Sequence, residues 1–144
     1  MLSPYILAII AAWITAQGAK YVVAVVKSRT LRNFRQFYLS GNMPSAHSAS
    51  VVALVIMVAG LDGTQGGLFA LTVLFAGIVM YDAMMVRRSS GEQGAALTEL
   101  LANSKLAKTI RLPRVAKGHT PVEVAVGALL GMVVGLVVLT ITNA

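Results

Sequence analysis

The chain has 144 residues, enough for one domain, and 57% are hydrophobic against 12% charged, with a mean hydropathy of +0.78. Those proportions exclude an ordinary soluble globule, and the absence of cysteine excludes disulfides and thiolate metal sites. The formal net charge of +7 comes from basic residues lying beside apolar runs, which suits anionic lipid headgroups and not nucleic acid.

Pro4 to Val26 is a mostly apolar run long enough to cross a bilayer. It has no basic segment before it and is too long for a signal-peptide core, so it reads as a retained helix. Gln17 and Lys20 interrupt it. Polar groups at such depth are costly and face a bundle interior or an aqueous cavity. Gln17, Lys20 and Lys27 fall roughly on one helical face. Lys27, Arg29, Arg32 and Arg35 then form a first basic loop, interleaved with Phe34, Phe37 and Tyr38 as interfacial anchors.

A second span is expected from about Pro44 to Leu61. Pro44 suits a first helical turn, and the small hydroxyl residues around it suit a helix N-terminus. Free N–H groups there attract anions, and His47 can exchange a proton near neutral pH. The run Asp62-Gly63-Thr64-Gln65-Gly66-Gly67 reads as a short turn without a basic residue. A third span covers about Leu68 to Met85, with Asp82 near its end. Arg87 and Arg88 follow.

The polar region up to Gly118 contains Leu97, Leu100, Leu101 and Leu106, a pattern for a short amphipathic helix lying on the membrane. Lys105, Lys108, Arg111, Arg114 and Lys117 make a second basic loop. The last span, about Pro121 to Ile141, carries Gly127, Gly131 and Gly135 in steps of four, a tight helix-packing face. Thr120 and Glu123 have capping-box spacing, with Pro121 at the first helical position. Glu123 also stands one helical turn after His119, where a carboxylate orients a histidine ring.

The expected fold is therefore an all-α integral membrane protein. It has four transmembrane helices and a short interfacial amphipathic helix before the last span, in a single domain over residues 1–144. With both basic loops on one side, the loops after spans one and three face the cytoplasm and both termini lie outside. Spans two and four then both begin at the cytoplasmic face, which places His47 and His119 at one depth beside most of the positive charge. A phosphate headgroup is the ligand such a site would hold.

These residues resemble the type 2 phosphatidic acid phosphatase superfamily, which includes the vanadium haloperoxidases. The resemblance rests on Pro44-Ser45-Ala46-His47 and on His119 followed by Glu123. Gln17 with Lys20, the run Val79-Met80-Tyr81-Asp82-Ala83 and the run Val86-Arg87-Arg88 bring it closer to that superfamily's divergent bacterial and plastid branch.

The resemblance implies a metal-independent phosphatase without a cofactor, acting through a phosphohistidine. It makes His119 the nucleophile, Glu123 its orienter and His47 the general acid. Ser45, Lys20, Lys27, Arg87 and Arg88 would hold the phosphate. Beside the resemblance, Gln17 reads as a supporting group, and Asp82 as one that holds Lys20 or Arg87 in place or else caps the helix at the interface. The chain departs from the superfamily pattern at four places. Ala46 stands for glycine, Glu123 for aspartate, and Lys27 with Ser28 for an arginine and a proline. Pro113 falls where the third motif has its arginine, so Arg114, Arg111 or the distant pair Arg87 and Arg88 must supply that charge, and the pair is favoured because it directly follows a membrane span. The sidedness favours a phosphomonoester lipid at the cytoplasmic leaflet of the inner membrane, of the phosphatidylglycerophosphate or phosphatidate class. Undecaprenyl diphosphate hydrolysis is the alternative, as is a non-catalytic lipid-binding or transport protein. A homo-oligomer sealed through Gly127, Gly131 and Gly135 would complete a site that four helices enclose only partly.

Overall fold

A computed structural model describes residues 2–28, 43–102 and 118–143. Among the described residues the chain is helical, without strands. Helix α1 is Pro4–Ser28, α2 Ala46–Leu61 and α3 Gly67–Tyr81; a π-turn over Asp82–Val86 leads into α4, Arg87–Ala102, and α5 is Pro121–Thr142. Among the described residues, three stretches are long and apolar enough to cross a membrane: Pro4–Val26, Gly67–Ala102 and Pro121–Thr142. Helix α2 is equally apolar but only 16 residues long, about 24 Å against a hydrocarbon core of about 30 Å.

One expectation about the third span changes. The chain does not leave the helix after Met85; it stays helical from Gly67 to Ala102 over 36 residues. Arg87-Arg88-Ser89-Ser90-Gly91 looks like a loop by composition, yet the residues after it are strong helix formers that carry the helix on. Leu97 and Leu100 are exposed on α4, and Leu106 lies outside the described residues, as do the loop segments 29–42 and 103–117.

Helix α2 lies at the centre and packs against α1, α3 and α5. In lipid, apolar contact alone gives helices little reason to associate, so close approach by small residues does the holding. Helix α1 presents Ala8, Ala12, Ala16 and Ala24, all buried, in steps of four or eight along one face. Helix α5 presents its glycines to α2: Gly127 packs on the backbone of Ser45, Gly131 on that of Ala49, and Gly135 on Ala53 and Ile56. Each step of four along α5 meets a step of four along α2, so the two helices run parallel. A side chain on any of the three glycines would drive them apart.

That face is therefore filled within the chain. The homo-oligomer expected through Gly127, Gly131 and Gly135 loses its seam, because α2 already occupies it. At the end away from the histidines, the Tyr5 hydroxyl donates to Asp62 Oδ2 at 2.6 Å, joining the start of α1 to the end of α2.

Candidate active site

Parallel packing brings the first turns of α2 and α5 together. Ser45 is the N-cap of α2, and its backbone N–H donates to the Glu123 carbonyl at 3.1 Å. Pro44, joined to Met43 by a cis peptide bond, stands one residue before that cap and not in the first helical turn, where sequence reasoning placed it. His47 follows in the first turn of α2, with its side chain exposed.

His119 is buried, 4% exposed, and held from two sides. Its backbone N–H donates to the Ala83 carbonyl at 2.9 Å. Its ring Nδ1 lies 3.1 Å from Glu123 Oε2. A carboxylate accepts there, so Nδ1 carries the hydrogen and the Nε2 lone pair stays free. Glu123 has two expected roles, capping and orienting, and it fills both with one oxygen. Oε2 also accepts the Thr120 N–H at 3.0 Å, while Thr120 Oγ1 accepts from Glu123 N at 3.3 Å. The capping box fixes the carboxylate, and the fixed carboxylate fixes the ring.

Lys20 continues the alanine stripe of α1 and is only 6% exposed. It sits close enough to Glu123 to feel its charge, and both histidines feel Lys20 and Arg87. Burial holds the His119 imidazole below the usual histidine range. Its contact with Glu123 pulls the other way, while the nearby charges of Lys20 and Arg87 add to the lowering. The balance favours the neutral ring.

The two arginines that follow the third span part company. Arg87 Nε donates to Asp82 Oδ2 at 2.6 Å, beside the histidines. Arg88 Nε instead donates to Glu92 Oε1 at 3.1 Å, one turn along α4, with both side chains exposed. Of this expected pair, only Arg87 is turned toward the site.

Ser45 is fully buried, and its Oγ accepts from Ser48 N at 3.4 Å and from Ser48 Oγ at 2.9 Å. Its place is that of a helix cap beneath Gly127. Gln17 lies one turn before Lys20, with its Oε1 buried and unpartnered among the described residues. Lys27 is in the last turn of α1, and its side chain lies outside the described residues. Among the described residues, no group of three or more His, Asp or Glu side chains is gathered as metal ligands would be.

Sequence reasoning missed the Ala83 carbonyl and Gly118. A Cβ on Gly118 would strike the backbone of Arg88, so glycine alone lets the segment before α5 lie against the start of α4. A glycine directly before the motif histidine was the available signal.

A family model described as the Divergent PAP2 family matches residues 2–134. The uncharacterized membrane protein YuiD of Bacillus subtilis (strain 168) is 36% identical over 145 residues, covering 92% of this chain and 91% of its own length. No solved structure matches the chain.

Proposed function

Because the chain belongs to the Divergent PAP2 family, we propose that it is a lipid phosphate phosphatase working through a phosphohistidine on His119. The observation that carries this reading is the His119–Glu123 contact of 3.1 Å, placed at the end of the bundle where Lys20, His47 and Arg87 converge. With Nδ1–H given to Glu123, the Nε2 lone pair attacks phosphorus and the bond from phosphorus to the lipid oxygen breaks. His47, in its protonated form, gives that oxygen its proton. Neutral His47 then takes a proton from water as the water oxygen attacks the phosphohistidine. The phosphorus–nitrogen bond breaks, and inorganic phosphate leaves.

Lys20 and Arg87 supply preorganised positive charge for the phosphoryl oxygens. A phosphomonoester lipid is the substrate class, of the phosphatidylglycerophosphate or phosphatidate type. The detergent-solubilised protein should release phosphate from such lipids, and should keep doing so in EDTA, because the charge comes from side chains. Absence of phosphate release across a panel of lipid phosphates and diphosphates would leave a non-catalytic lipid-binding protein.

In the membrane, α2 makes a fourth, short span between α1 and the Gly67–Ala102 helix. Arg87, Arg88 and the basic segments around residues 29–35 and 105–117 support a cytoplasmic histidine end, at the inner membrane. A cysteine at Thr64, in the turn at the other end, should then react with an impermeant thiol reagent in intact cells, and one at Ser89 should not. The reverse labelling pattern would invert the orientation.

A further inference from the structure

Asp82 and Arg87 are five residues apart and paired by side chain, a spacing an α-helix does not support. At about 100° per residue, positions five apart point about 140° away from each other. The π-turn over Asp82–Val86 removes that mismatch, because its i→i+5 hydrogen bonds stack such residues. Arg87 is accordingly held twice by one residue: its backbone N–H donates to the Asp82 carbonyl, and its Nε to Asp82 Oδ2 at 2.6 Å.

We propose that Asp82 is a positioning residue, and that the π-turn exists to aim the Arg87 guanidinium at the phosphoryl group beside His47 and His119. The inference rests on the oxyanion site of the proposed function. Asp82 engages Nε alone, which leaves both terminal nitrogens of the planar fork for two phosphoryl oxygens. The pair is 46% and 36% exposed, so its charge attraction contributes little to stability; what it fixes is direction. The same turn also serves the nucleophile. Its Ala83 carbonyl accepts the His119 N–H at 2.9 Å, and the backbone of Arg88 just after it seats Gly118. Cation and nucleophile are thereby located against a single short segment. Without the π-turn, Arg87 would lie about 140° around the helix from Asp82 and could not make this pair; Arg88 instead pairs with Glu92 at ordinary helical spacing.

The sign of one substitution separates positioning from charge. Asp82→Asn removes a negative charge beside an anion site, so on charge alone it should tighten anion binding. If Asp82 positions Arg87, the same change weakens binding, by about tenfold for a contact of ordinary coupling strength. The probe is orthovanadate, titrated into the detergent-solubilised full chain by calorimetry, with the melting temperature followed alongside. Asp82→Asn and Arg87→Ala should each raise the dissociation constant, the double variant should match Arg87→Ala alone, and melting should stay within a few degrees of the parent. Unchanged or tighter binding in Asp82→Asn, additive losses in the double variant, or no orthovanadate binding by the parent would overturn the proposal. Orthovanadate binding of this pattern without hydrolysis of any lipid phosphate would remove the phosphatase reading and leave this one standing.

Discussion

Replacing His119 with alanine should abolish turnover of every phosphate ester, while replacing His47 should abolish it selectively. The two rings look alike in composition and differ in surroundings. His119 is buried with its Nδ1 on Glu123, and His47 is exposed at the start of α2. A general acid contributes roughly 100- to 10,000-fold, and a good leaving group needs little of it. His47→Ala should therefore turn over an aryl phosphate measurably and fail on a lipid alkyl phosphate. It should also accumulate acid-labile phosphate in rapid-quench experiments, because water attack on the phosphohistidine then lacks its base. His119→Ala should show no phosphoprotein; finding it there would exchange the two roles.

The pH dependence of phosphohistidine formation follows from the direction in which His119 is displaced. Since its folded pKa is depressed, the proposed nucleophile should stay neutral as pH falls through the ordinary histidine value of about 6.5, and the acid limb should lie below that value. The same displacement makes the neutral ring a stabilising element above the unfolded pKa. That stability is lost as pH falls through the folded pKa.

Gly131→Ala should be among the most damaging of the methyl groups that can be added at the described glycines. Its Cβ would run into the carbonyl oxygen of Ala49, a backbone atom that cannot turn aside. Helices α2 and α5 must separate to admit it, at a cost of about 1–3 kcal/mol, and valine there should cost more. The contrast is Gly18 on α1, where a Cβ meets nothing within 4 Å. Alanine there should be neutral or stabilising by up to about 1 kcal/mol, from helix propensity. Melting in detergent ranks the variants. Gly131→Ala should also lose activity below its melting point, because spreading α5 from α2 pulls His119 away from His47.

Much of this arrangement is legible in the residues. The capping box reads directly from Thr120, Pro121 and Glu123, since cap chemistry is local. The polar face of Gln17 and Lys20 reads from helical spacing. The glycine steps of α5 announce a close neighbour but cannot name it, because a small-residue face fits a helix of the same chain as well as one of another. The neighbour is α2, whose matching Ser45, Ala49 and Ala53 become informative only once the pair is known. The division of labour between Arg87 and Arg88 is not legible at all. It depends on a single turn of i→i+5 pairing, and no residue type marks a π-turn as glycine marks a left-handed one.

The parallel pairing of α2 and α5 also sets the order of events at the ribosome. A chain that has made only α1, α2 and α3 holds His47 and Lys20 but neither Glu123 nor the second ring, so it lacks the pair on which the proposed reaction depends. Until α5 arrives, the strip of Ser45, Ala49 and Ala53 lacks the glycine surface that fits it. The proposed site is completed only when α5 packs on α2, and a chain cut before Pro121 would hold part of it without the carboxylate that contacts His119.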